Sequence, residues 1–126
     1  MNAYIAYSVP NSDAHMVHEL AGVLQNSGME VSYFHDHPEH PRGQHAYDEV
    51  LGVSMFVGLM TGRQQHKIVI QLWEYAQRYG IPAVLLVEDT QNLPSRIARD
   101  PNVMVFKRFA PQNPIRFVEL WIKHSF

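Results

Sequence analysis

Two short, almost wholly apolar runs constrain this chain more than any other feature: Val53–Met60 and Ile81–Val87, separated by Gln64–Tyr79, whose apolar residues recur at helical spacing. A strand-length run that is apolar at odd and even positions alike must be buried on both faces. Sheets covered on both faces are built from parallel strands joined by helical crossovers. The rest of the chain repeats that unit. Ala3–Ser8 reads as a first strand, and a Val9-Pro10-Asn11-Ser12 turn then offers Asn11 or Ser12 as cap for a helix from Asp13 to about Asn26. Met16, Val17, Leu20, Val23 and Leu24 form its apolar stripe, His15 and His18 fall on the other side, and Ser27-Gly28 ends it.

Met29–Phe34 reads as the second strand and empties into a polar loop of ten residues, His35–Gln44. A short helix over about His45–Leu51 leads into the first of the two apolar runs. Gly80 stops the helix Gln64–Tyr79, and Ile81–Val87 ends at Glu88-Asp89. A turn at Leu93-Pro94-Ser95 with one helical turn, a fifth strand Val103–Lys107 and a helix Pro114–His124 capped by Asn113 complete the chain. The pattern predicts a single α/β domain of flavodoxin type over residues 1–126: three layers, a five-stranded, mostly parallel sheet, and strand order 2-1-3-4-5 with right-handed crossovers. Ligands of such sheets sit at the carboxyl ends of the strands. The search area is therefore Ser8–Asn11, His35–Gln44, Thr61-Gly62-Arg63 and Glu88-Asp89.

Composition narrows the function. At 126 residues the chain suffices for one core, and without cysteine it has no disulfide, thiolate metal site or Cys nucleophile. No basic leader precedes an apolar run and no apolar stretch approaches bilayer length, so a cytoplasmic chain with no membrane partner is expected. Residues 1–50 carry a net −6 and residues 51–126 a net +4, a split suited to head-to-tail association or an anionic ligand. The bases are scattered rather than striped, which argues against nucleic acid. No phosphate-binding glycine motif of the triphosphate or dinucleotide kind is present. A phosphoaspartate switch would need acids after strand one and an Asp closing strand three, where Ser8-Val9-Pro10 and Thr61 stand.

The run Tyr4-Ile5-Ala6-Tyr7-Ser8 with Asp13 beyond it, the segment Asn26-Ser27-Gly28-Met29-Glu30-Val31, and Gly80-Ile81-Pro82-Ala83-Val84-Leu85-Leu86 resemble a bacterial TIR (Toll/interleukin-1 receptor-like) domain. The likeness covers about residues 3–88. Tyr7-Ser8 matches the family's Tyr-Ser pair, and Asp36 with Arg42-Gly43 loosely matches its acidic residue and Pro-Gly after strand two. The outline is more distantly similar to nucleoside 2-deoxyribosyltransferases. What the resemblance implies is a signalling or defence protein with a nucleotide pocket, self-association or a TIR-like or effector partner, and no resident cofactor. In enzymatic members it implies cleavage of the N-glycosidic bond of NAD by a helix glutamate. A carboxylate suits that chemistry because the bond breaks through an oxocarbenium-like state that an anion stabilises.

The only acid of the corresponding helix is Glu74. Both families place that glutamate about eight residues before the closing glycine, which here is Leu72. Gln65, Ile68, Val69, Leu72, Tyr75, Ala76 and Tyr79 share the apolar stripe. Glu74 lies about 200° around the helix from Leu72 and is expected on the solvent side beside Arg78. Gln71 offers an amide in its stead: it can hydrogen-bond ribose hydroxyls but supplies no charge. Around these two, the expected ligand-binding residues are Tyr7, Ser8, Asn11, Asp36, Arg42, Thr61, Gly62 and Arg63, the last being the cation best placed for a phosphate.

Two functions from different classes follow: an enzyme acting on NAD or a related nucleotide through Glu74, and a non-catalytic interaction or nucleotide-sensing module. Deoxyribosyl transfer would need a second carboxylate, Asp36 or Glu88. The His35–His40 segment holds metal-ligand types, but its role is read as a loop over the pocket, with no metal assigned. Ile70 and Trp73 are expected to leave apolar surface outside the core, and Trp121 to join it.

Overall fold

The computed structural model describes residues 1–35, 43–62, 67–91, 93–107 and 114–125. Five strands, β1 (Asn2–Ser8), β2 (Glu30–His35), β3 (Met55–Met60), β4 (Ala83–Glu88) and β5 (Val103–Phe106), alternate with five helices, α1 (Ala14–Asn26), α2 (Gly43–Val50), α3 (Lys67–Arg78), α4 (Ser95–Ala98) and α5 (Pro114–Ser125). The sheet order is β2-β1-β3-β4-β5 and every pairing is parallel. The expected order stands, and the sheet is wholly rather than mostly parallel.

Strand periodicity divides the core. Ala3 and Ile5 of β1, Met55, Val57 and Leu59 of β3, and Val84 and Leu86 of β4 face α1 and α5. Alternate residues, Tyr4 and Ala6, Phe56 and Met60, and Leu85 and Val87, face α2, α3 and α4. Both clusters are closed to water, which is why these strands read as continuous apolar runs.

Two helices stop by one device. In α1 the Gly28 N–H donates to the Gln25 carbonyl and the Met29 N–H to that of Leu24. In α3 the Gly80 N–H donates to Gln77 and the Ile81 N–H to Ala76. Gly28 and Gly80 have φ of 86° and 74°. These are Schellman turns, and the positive φ explains the glycine at both stops.

Other boundaries move. Asn11–Asp13 is a 3₁₀ turn ahead of α1, and the positions flanking the turn and the helix, Pro10 and Asp13, make no side-chain cap bond, so neither Asn11 nor Ser12 has the capping role expected. β3 starts at Met55, and Ser54 just before it is tied to Asn2 of β1: Asn2 Oδ1 accepts from the Ser54 N–H at 3.0 Å and from its hydroxyl at 3.1 Å. Trp73 is 2% exposed and Ile70 packs against the α2–α3 cluster, correcting the expectation of free apolar surface there. Trp121 is half-buried against the opposite cluster, its indole donating to Asn102 Oδ1 at 3.3 Å. His15 and His18 are exposed, as expected. Among the described residues no helix is long and apolar enough to cross a membrane.

Candidate functional site

Parallel pairing brings the carboxyl ends of β1, β3 and β4 together, and the residues just beyond them are polar and buried. Ser8, Asp13, Thr61, Glu88 and Gln91 are all under 10% exposed. Burial of such groups is tolerated only where hydrogen bonds replace water. The Thr61 N–H donates to the Ser8 carbonyl at 3.1 Å, carrying the β1–β3 ladder one step past the strands. The Thr61 hydroxyl donates to Asp13 Oδ2 at 2.7 Å, tying β3 to the start of α1.

Gly62 is the hub of the β3–β4 side. Its N–H donates to Glu88 Oε1 at 3.0 Å, while its carbonyl accepts from Thr90 Oγ1 at 2.7 Å and Gln91 Nε2 at 2.6 Å. Thr90 Oγ1 also lies 3.0 Å from Glu88 Oε1, so one hydroxyl proton is shared between two acceptors. Gly62 has φ of 77°, and a Cβ there would meet Pro10 Cδ at 3.1 Å; both facts favour glycine. The strand ends are thus stitched to one another by their own side chains.

Among the described residues, those singled out from sequence fall in more than one place. Ser8, Thr61 and Gly62 meet in this network. Tyr7 packs against the α1–α5 cluster, and its phenol is raised above its ordinary pKa by burial and then by Tyr33. Asn11 is exposed on the 3₁₀ turn. Asp36, Arg42 and Arg63, and the His35–His40 loop beyond the His35 backbone, lie outside the described residues, as do Gln64–His66 of the expected third helix and the Asn113 cap. Among the described residues no group of three or more His, Asp or Glu is placed to hold a metal ion.

Gln71 and Glu74 line a different space, a cleft of about 300 Å³ between α3 and α4, closed at the sheet by Met60. Glu74 is half-buried, and its ion-pair partner is Arg96 of α4, with Arg96 Nη2 at 3.5 Å from Glu74 Oε1, rather than Arg78 of its own helix. The wheel placed Glu74 correctly away from the sheet, but α4 covers the flank it faces. Ile97 anchors α4 in the α2–α3 cluster and thereby sets Arg96 against α3. Leu72 is fully buried.

Sequence reasoning missed Arg96, Thr90 and Gln91. Arg96 belongs to a helix of four residues, too short for any periodic signal, and Pro94 before it was the one available cue. Thr90 and Gln91 follow a predicted strand end, and that position was the signal.

No protein-family model matches the chain, and no curated protein matches it. Solved structures do. The crystal structure of the RPS4 and RRS1 TIR domain heterodimer matches with a TM-score of 0.58 at 9% identity, over 98% of this chain and 95% of that one. The NMR structure of the pseudo-receiver domain of the CikA protein matches with a TM-score of 0.55 at 13% identity, over 98% and 96%. At these identities the likeness is one of fold, and the fold is TIR-like within the flavodoxin-like group.

Proposed function

We propose that this chain is a non-catalytic TIR-like module of signalling or defence type that works by interaction. The observation carrying the reading is the state of the third helix. Leu72, where the resemblance puts a working glutamate, is sealed in the core, and Glu74 is turned to α4 and paired with Arg96. The buried carboxylates Asp13, ahead of α1, and Glu88, at the end of β4, each accept hydrogen bonds from within the chain, from Thr61 and Gly62. Self-association or docking on another TIR-like or effector domain is the partner class proposed, supported by likeness to a structure that is itself a TIR domain heterodimer.

One observation favours a second reading, cleavage of the N-glycosidic bond of NAD or a related nucleotide: Gln71 and Glu74 do line a common cleft. The two are separated by incubating the protein with NAD, NADP and deoxynucleosides and assaying free base by mass spectrometry, at low and high protein concentration. No base release is expected. Release abolished by Glu74→Ala would overturn the interaction reading in favour of the enzyme.

A further inference from the structure

The groove between α3 and α4 consists of two clefts that share a boundary. The larger, about 300 Å³, is lined by apolar Ile70, Leu93 and Ile97 with Lys67 among its polar groups. The smaller, about 220 Å³, is lined by Trp73, Gln77, Arg78 and Asp100. Glu74, Arg96 and Ile97 line both, so the 3.5 Å contact between Glu74 and Arg96 stands at their shared boundary. Among the described residues the Trp73 indole N–H, buried in a side chain 2% exposed, has no hydrogen-bond partner. An orphaned buried donor is uncommon, and it marks the place where an acceptor is wanted.

We propose that this groove binds a small monocarboxylate with an apolar body, whose carboxylate takes the place of that of Glu74 on Arg96. Charge points to the head group: among the described lining residues Lys67 and Arg96 against Glu74 leave one positive charge in surplus, which suits a single carboxylate. The apolar lining fixes the body, as in most small-molecule sites. Arg96 already holds a carboxylate, that of Glu74. It holds it by a long contact from a side chain 70% exposed, an ion pair of the weak, exchangeable kind. A ligand carboxylate has two oxygens: one serves Arg96, and the second is offered to the Trp73 N–H, which is covered while Glu74 stays in place and which departure of the Glu74 side chain would uncover beside the smaller cleft. Glu74 therefore acts as an internal stand-in that the ligand displaces. The inference does not rest on the interaction reading: base release from NAD that depends on Glu74 would count against both, whereas the octanoate titration tests this inference alone.

The test titrates the full ¹⁵N-labelled chain with sodium octanoate, with octanamide as the uncharged control, and follows the two indole N–H signals, assigned with Trp121→Phe. Octanoate is expected to move the Trp73 signal downfield to saturation, with octanamide and the Arg96→Ala variant each about tenfold weaker or worse, the loss of one charge-assisted hydrogen bond. Glu74→Ala is expected to tighten octanoate binding by about threefold or more, by removing the competitor. Signal dispersion in the same spectra reports that each variant is folded. A Trp73 signal unmoved by octanoate, equal binding of octanamide, unchanged affinity in Arg96→Ala, or affinity not raised in Glu74→Ala overturns the proposal.

Discussion

Tyr4 is a phenol in a central strand, 1% exposed and stacked on Phe56 with ring centroids 6.3 Å apart. Burial first, and the negative charge of Glu49 second, push its pKa well above the ordinary value for tyrosine. In the unfolded chain Tyr4 ionises near pH ~10, whereas in the folded chain it stays neutral to higher pH. The folded state therefore holds this proton more tightly. The stability that results is fully present below about pH 10 and lost as pH rises above it. Guanidinium midpoints are expected to hold level up to about pH 9 and fall beyond, with Tyr4→Phe flattening the fall. A second residue-scale prediction concerns Gly58 of β3. A Cβ there would stand 2.6 Å from Leu85 Cδ1 and 3.2 Å from Val69 Cγ1, both in side chains without exposure. Gly58→Ala is expected to cost about 1–3 kcal/mol in urea unfolding, the range for overpacking a filled core.

Between elements, the bond from the Thr61 hydroxyl to Asp13 couples the end of β3 to the start of α1 across 48 positions of sequence. Thr61→Val keeps the shape and removes the donor from a buried carboxylate. The expected loss is about 1–3 kcal/mol, read from thermal or urea unfolding, and Thr61→Ser is expected to recover most of it. Strands and long helices are legible in the sequence because each carries its own period. The two apolar runs mark β3 and β4 and their burial on both faces, and Gly28 and Gly80 mark the stops of α1 and α3. Legibility fails where a residue's partner comes from another element. Glu74 shows this well: its angle on the helix is readable, but its partner Arg96 rides on α4, a single turn placed by tertiary packing. Trp73 is misread for the same reason, since the wheel puts it at the edge of the stripe and α4 then closes over that edge. The candidate site is half-readable accordingly. Ser8, Thr61 and Gly62 stand out by their position after strands, while the hydrogen bonds that bind them to Asp13, Glu88, Thr90 and Gln91 depend on register.

For the whole molecule, the division of the core by the sheet makes a quantitative prediction. Leu24 of α1 and Leu72 of α3 are each fully buried but belong to opposite clusters, with the sheet between them. Leu24→Ala and Leu72→Ala are each expected to cost about 2–5 kcal/mol. With no shared partners, the double variant is expected to lose the sum to within about 0.5 kcal/mol, checked by a double-mutant cycle in urea. The order β2-β1-β3-β4-β5 has a different consequence for the chain as it is made. β1 leaves the ribosome first yet ends as an interior strand, and its second neighbour, β3, begins only at Met55. Until then one edge of β1 lacks its strand, and the faces that carry Tyr4 and Ile5, fully shielded in the finished protein, close only when α3 and α5 follow. An interior position for β1 therefore means that its burial is completed by segments made after it, β3 at one edge and α3 and α5 on its two faces.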